Sequence, residues 1–204
     1  MKITVLGTGH MGAAIATALT RTPHNILLRG STDGSRSCMA LCERLGLNEA
    51  NKEDIINSDI VFFVMPSGFI QSAAELVKGF NGIIVSVVGF DNYLLNENQS
   101  PKSASETIAD LIPTARIVHG FTWMAAEVVE HPDITGKTSV VHCSDDSRAL
   151  NVVCTLTQEM GMSPVRAGKL INARYAESAG FLWGAIAFEG GYGVRTFFEV
   201  HPEK

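Results

Sequence analysis

Long apolar runs, cysteine and surplus positive charge are all scarce in this chain of 204 residues. No uninterrupted apolar stretch approaches the ~20 residues needed to cross a bilayer. The longest late one, Phe181 to Phe188, is too short, so no membrane partner is expected. Lys and Arg number 16 against 21 Asp and Glu, for a net charge of −5. With a pI of about 5.7 and no basic stripe, nucleic acid is not an expected partner. The four cysteines, Cys38, Cys42, Cys143 and Cys154, match no zinc spacing, so no metal site is expected. Free thiols of this kind fit a reducing compartment. The lysine, apolar stretch and Ala16-Thr17-Ala18 at the start loosely mimic a secretory signal, but three glycines and His10 interrupt the apolar part. The expected location is the cytoplasm. Internal repeats and low-complexity segments are also missing, as is any obvious nucleophile–base pair or carboxylate pair.

What is present begins at residue 2. Lys2-Ile3-Thr4-Val5-Leu6 reads as a short buried strand. Gly7-Thr8-Gly9-His10-Met11-Gly12 follows at once, then the alanine-rich helix Ala13 to Leu19 and a second apolar run, Ile26-Leu27-Leu28. This is a βαβ unit with G-x-G-x-x-G at its first turn, the arrangement that holds a dinucleotide. Gly7 allows the tight turn, Gly9 lets the main chain approach a pyrophosphate, and Gly12 lets helix and strand pack closely. The helix start offers N–H groups and a positive dipole end to the phosphates. Thr8, His10 and Met11, between the glycines, join Gly7, Gly9 and Gly12 as expected cofactor contacts.

An enzyme that prefers NAD carries an acid roughly 20 positions further on, bonded to the ribose hydroxyls. Here the second strand ends Leu28-Arg29-Gly30-Ser31-Thr32-Asp33-Gly34-Ser35-Arg36. Hydroxyl groups and arginines suit a 2′-phosphate, so NADP(H) is the expected cofactor, held by Ser31, Thr32 and Arg36. Arg29 is a weaker candidate because its direction is not fixed by the sequence. Asp33 dissents, since it offers NAD a ribose acceptor.

Strands and helices go on alternating. Residues 37–45 read as helix ended by Gly46, 49–57 as a short helical piece, and 59–65 as a nearly all-apolar strand, as in a parallel sheet covered on both faces. Pro66 breaks that strand; 69–78 is helix, 82–88 strand, 103–111 helix and 115–120 strand. Beyond residue 120 the chain gives a strand at 138–143, a helix capped by Asp145 or Asp146 and running to Met160, a short strand at 163–166 and a long helix at 168–189. The expected fold class is therefore α/β: a doubly wound Rossmann parallel sheet with helices on both faces and a small C-terminal α/β extension. Residues 1–120 form the NADP-binding domain and 121–204 a small domain closing the cleft. Arg174 and Glu177 have the spacing of an ordinary helix pair. Phe181, Leu182, Trp183 and Phe188 make an apolar helix surface suited to core or dimer packing, so a homodimer is expected.

With both ends read, nearly the whole chain resembles the NADPH-dependent reductases of the deazaflavin coenzyme F420 and their bacterial dinucleotide-binding relatives. The resemblance rests on Val5 to Gly12, Gly30-Ser31, Met65-Pro66, Val118-His119-Gly120-Phe121, Ser144-Asp145-Asp146 and Ala167 to Arg174. The family often has an arginine after the Gly-Ser pair, where Thr32 stands here; Arg36 is a substitute. The resemblance implies hydride transfer between a nicotinamide and a deazaflavin, flavin or similar planar acceptor stacked against it. It implies His119 as the catalytic group, and Met65, Pro66 and Ser67 beside the nicotinamide. Gly89, Phe90, Phe121 and Trp123 join the expected cleft. Coenzyme F420 or a flavin is then the second substrate.

Two other functions fit some of these residues. The opening glycine motif also resembles pyrroline-5-carboxylate reductases and related imine reductases, although those carry a longer helical region after the last strand. A dinucleotide-binding regulator without turnover would explain the missing acid–base pair.

Overall fold

The computed structural model describes residues 1–88, 102–135, 138–201 and 203. Gly89, Phe90 and most of the polar loop that follows them lie outside the described residues. Six strands form one parallel sheet: β1 (Lys2–Leu6), β2 (Asn25–Arg29), β3 (Asn48–Glu49), β4 (Ile60–Phe63), β5 (Ile83–Ser86) and β6 (Arg116–His119). Their order is β3-β2-β1-β4-β5-β6, the doubly wound order of two mononucleotide halves. The strand order thus reverses between β1 and β4, the place where sheets of this kind open a crevice at their carboxyl ends.

Helices cover both faces. In sequence they are α1 (His10–Leu19), α2 (Arg36–Leu45), α3 (Lys52–Ile56), α4 (Ile70–Leu76) and α5 (Ala104–Leu111). The strand period of two splits the apolar residues between two cores. Ile3, Val5, Phe62, Val85 and Val118 pack on one face with Ile15 and Leu19 of α1. Leu6, Val61, Phe63, Ile84 and Ile117 pack on the other with Ile55, Ile70 and Ile108. This two-sided burial explains the near-continuous apolar runs of β4 and β5. Each fully buried Phe or Ile contributes about 1.5–3 kcal/mol.

The remaining elements are α6 (Ala126–Glu130), α7 (Pro132–Thr135), β7 (Ser139–His142), α8 (Ser147–Glu159), β8 (Ser163–Arg166) and α9 (Ala173–Gly184). β7 and β8 pair in parallel as a separate two-stranded sheet. That sheet is tied to the edge of the large one: the His119 N–H donates to the Cys143 carbonyl at 2.9 Å. The Ser144 hydroxyl donates to the Ile117 carbonyl at 2.6 Å. Asp146 caps α8 through the Arg148 and Ala149 N–H groups, as its position before the apolar run suggests.

Three readings of local structure need correction. Residues 49–57 are not one helical piece: Asn48–Glu49 form edge strand β3, and α3 starts only after Asn51, which closes a capping box with Asp54. The stretch 168–189 is not one helix either. A 3-10 turn at Leu170–Asn172 precedes α9, and the last turn widens to a π-helix at Ala185–Glu189. Arg174 and Glu177 do not pair with each other. Arg174 clamps Glu106 of α5 at 2.7 Å through both Nε and Nη2, and Glu177 turns to the start of α5. Finally, α6 and α7 are too short to show a helical period in the sequence.

Candidate functional site

The glycine turn shows why each of its glycines is there. Gly7 has φ +115°, and a Cβ on it would lie 1.9 Å from the Val64 carbonyl oxygen. Its N–H donates to the Arg29 carbonyl at 2.8 Å, which locks the turn across β2. A Cβ on Gly12 would lie 1.9 Å from the Gly7 carbonyl oxygen, so α1 sits on the turn only without a side chain there. Gly9 differs: a Cβ on it would meet nothing within 4 Å. It is exposed and stands at the N-cap of α1, where no side chain caps the helix and no acid occupies the first turn. Uncapped N–H groups and open space at a dipole's positive end form an anion seat. His10 beside it is exposed, Met11 packs partly against the core, and Thr8 Oγ1 lies 3.0 Å from Ser37 Oγ.

Across the crevice, Val64 is buried under the turn, and Met65, Pro66 and Ser67 follow at the carboxyl end of β4. Pro66 is exposed and extended, with φ −61° and ψ 150°, and a 3-10 turn begins at Ser67.

At the end of β2, Ser31, Thr32 and Arg36 are exposed beside Gly30. Gly30 itself is enclosed: a Cβ there would lie 2.0 Å from Ser35 Oγ. Arg29 is directed inward. Its Nη1 donates to Asp33 and, at 3.2 Å, to the Ala50 carbonyl. The Gly34 N–H donates to the Glu49 carboxylate at 3.1 and 3.2 Å, folding the loop back over β3.

His119 ends β6 with 1% of its surface exposed. Both ring nitrogens are engaged: Nδ1 lies 3.0 Å from Ser105 Oγ and Nε2 lies 2.9 Å from Thr122 Oγ1. Burial, then neighbouring His142, pushes its pKa down to about 3. It is therefore neutral at neutral pH, and Glu177 Oε1 at 3.7 Å makes no ion pair with it. One consistent proton arrangement has Thr122 donating to Nε2, Nδ1–H donating to Ser105, and Ser105 donating to Glu177 at 3.1 Å. Burial raises the Glu177 carboxyl, while the Ala104 and Ser105 N–H groups and the Ser105 hydroxyl act against that rise. His142 is similarly buried, pushed down to about 4, and its Nδ1 bonds the His119 carbonyl oxygen at 3.0 Å.

Phe121 is not a cleft wall. Phe121 is 2% exposed, with its ring between Phe62 and His142, and it holds a φ of 62°, rare for an aromatic residue. Trp123 Nε1 donates to the Ser139 carbonyl at 2.9 Å, and its ring meets Phe198. Ser35, Ser86, Ser105, Thr122 and Glu177 gave no sequence signal as site-supporting residues. Only the Ser103–Glu106 capping box, three residues apart, was there to be found. Among the described residues no cluster of three His, Cys, Asp or Glu is placed to hold a metal, and no helix is long and apolar enough to cross a membrane. All four cysteines are free.

Residues 2–88 match the family model described as NADP oxidoreductase, coenzyme F420-dependent. The chain is 25% identical over 178 residues to the metalloreductase STEAP3 of Rattus norvegicus, covering 87% of this chain and 36% of that protein. It thus spans about a third of the length of that relative. A solved structure described as an F420-dependent NADP reductase from Arthrobacter sp. FB24 superposes with a TM-score of 0.83 at 20% identity, covering 99% of this chain and all of the other. A reductive aminase from Aspergillus terreus in complex with NADPH and ethyl-5-oxohexanoate superposes with a TM-score of 0.67 at 17% identity, covering 94% of this chain and 63% of the other. These likenesses establish the fold. The family likeness covers residues 2–88 of this chain.

Proposed function

We propose that this protein is an NADP-dependent oxidoreductase that passes a hydride between the nicotinamide and a planar acceptor of the deazaflavin or flavin type. The observation that carries the reading is the contrast within the glycine turn. Gly7 and Gly12 are filled against the protein, whereas Gly9 faces open space at an uncapped helix start on the β1/β4 switch point. The residues present fit the cofactor: the α1 N–H groups hold the diphosphate, and Ser31, Thr32 and Arg36 line the adenosine end. When bound, the nicotinamide supplies the two-electron chemistry.

The chain's own task is positioning and exclusion of water. Met65, Pro66 and Ser67 shape the floor beside the nicotinamide. Residues 121–204 act as the small domain that closes the cleft. His119 is a positioning residue in this reading: with both nitrogens bonded and its charge suppressed, it fixes the carboxyl end of β6 and exchanges no proton with substrate. Two planar rings brought face to face need no acid–base pair between them. A homodimer belongs to the same reading, with exposed Tyr175 and Leu182 of α9 and nearby Phe188 on the shared face.

The test is to mix the protein with NADPH and, separately, oxidised coenzyme F420, FMN, FAD and a cyclic imine, and to follow NADPH oxidation. Oxidation with a deazaflavin or flavin, and with it loss of that acceptor's visible absorbance, is expected. Oxidation with the imine alone would move the chain to the imine-reductase reading. Saturable NADPH binding with no oxidation by any acceptor would favour a non-catalytic regulator.

A further inference from the structure

The end of β2 carries an anomaly. Among the described residues, two buried side-chain polar atoms have no hydrogen-bond partner: Nε of Arg29 and Oγ of Ser35. They flank the same residue, Gly30. Arg29 is 8% exposed at its side chain and is neutralised by Asp33, whose own side chain is 86% exposed. Ser35 is the N-cap of the ten-residue helix α2, yet its side chain caps nothing. An idle hydroxyl and an uncapped helix start therefore stand beside Gly30, next in sequence to a buried guanidinium whose anion is a solvent-exposed carboxylate.

We propose that Asp33 is an internal stand-in for the 2′-phosphate of NADP and so a specificity-determining residue of this chain. The inference rests on the NADP reading above and deepens it. In the free protein the Asp33 carboxylate occupies Nη1 of Arg29. A 2′-phosphate arriving beside Gly30 displaces it and takes over Nη1 as the more highly charged acceptor. The same oxyanion accepts from Ser35 Oγ and from the first N–H groups of α2.

The exchange is feasible because the pair to be broken is cheap on one side. A carboxylate that is 86% exposed regains its hydration on leaving, whereas Arg29 is never left without an anion. The other charges nearby are Glu49, which is held by the Gly34 N–H, and exposed Arg36. Glu49 repels an incoming phosphate and Arg36 attracts it. Neither takes the place that Asp33 holds on Arg29. The device accounts for an NADP-type loop that carries an acid shortly after the end of β2: the acid is turned to Arg29.

The test uses the full chain with 2′,5′-ADP and 5′-AMP as probes, measured by calorimetry on the wild type, Asp33→Asn, Arg29→Met and the double variant. Asp33→Asn removes the competing charge, so 2′,5′-ADP should bind about fivefold tighter while 5′-AMP is unchanged. In the Arg29→Met background the Asp33→Asn change should have no effect on 2′,5′-ADP. Thermal melts confirm that each variant is folded; should Arg29→Met fail to fold, Arg29→Gln, which removes the charge but keeps a polar group, replaces it and should likewise leave Asp33→Asn without effect on 2′,5′-ADP. Unchanged 2′,5′-ADP affinity in Asp33→Asn overturns the proposal. So does weakened 5′-AMP binding in Asp33→Asn, because Asp33 would then be a ribose ligand. The two levels fail separately. Wild-type protein that binds NADPH with unaltered probe affinities in Asp33→Asn sinks the stand-in alone, whereas NADH bound more tightly than NADPH by both proteins sinks the NADP reading itself.

Discussion

Glu177 on α9 caps helix α5 through Ser105. Its Oε1 accepts the Ser105 N–H at 3.2 Å and the Ser105 hydroxyl at 3.1 Å, while Oε2 accepts the Ala104 N–H at 2.9 Å. A side chain from the C-terminal extension thus satisfies the first free amides of a helix more than seventy residues earlier. The contact is 2% exposed on the Glu177 side. Glu177→Ala should lower unfolding free energy by about 2–3 kcal/mol, because it strands the buried Ser105 N–H and the part-buried Ala104 N–H at once. Glu177→Gln, which keeps one acceptor oxygen, should lose less. Chemical denaturation checks both; a loss below about 0.5 kcal/mol for the alanine variant would mean that water replaces the carboxylate.

The three glycines of the turn should separate folding from binding. Gly12→Ala forces a Cβ into the Gly7 carbonyl and should be strongly destabilising, lowering the melting temperature by several degrees. Gly7→Ala adds a positive φ to a similar clash. Gly9→Ala meets nothing in the protein and should melt near the wild-type temperature, yet lose NADPH affinity about tenfold or more, since the methyl group stands where the diphosphate approaches. Melting curves and NADPH titrations on the three variants settle the order.

Acid should weaken the protein before its carboxylates titrate. His119 and His142 are depressed to about 3 and about 4, chiefly by burial, from an ordinary value of 6.5. A depressed group contributes stability that is whole above its unfolded pKa and is lost as pH falls towards the folded one. Stability should therefore be full above pH 6.5 and decline from there towards pH 4, with about one proton taken up on unfolding for each ring. Glu106, held down to about 2 first by the Arg174 hydrogen bond, adds a second loss between about 4.5 and 2. His119→Gln should remove about one proton from the slope between pH 6 and pH 4.5. An unchanged slope would mean that His119 is not buried and neutral.

Much of this was legible in the residues. β1, α1 and the glycine spacing stand out because turn, packing and ligand approach each demand glycine at one position. β4, β5 and β6 show as apolar runs because both faces of a parallel sheet are covered. Two-residue β3 was invisible, since an edge strand of that length has no period to read. The His119 network was hidden for a different reason. Its members, Ser86, Ser105, His119, Thr122 and Glu177, come from four separate segments, and only tertiary packing brings them together. Arg29 ends β2 and Asp33 stands four residues on in the loop that follows, where no spacing rule applies, so the inward turn of Arg29 has no signal in the sequence.

Calorimetric titration of wild type and Gly9→Ala with NADPH tests the central claim most directly, that the open glycine at the start of α1 receives a dinucleotide diphosphate. Saturable binding by the wild type, sharply weakened in a Gly9→Ala variant that melts normally, is the predicted result. No heat of binding with the wild type, or equal affinity in the two proteins, would contradict it.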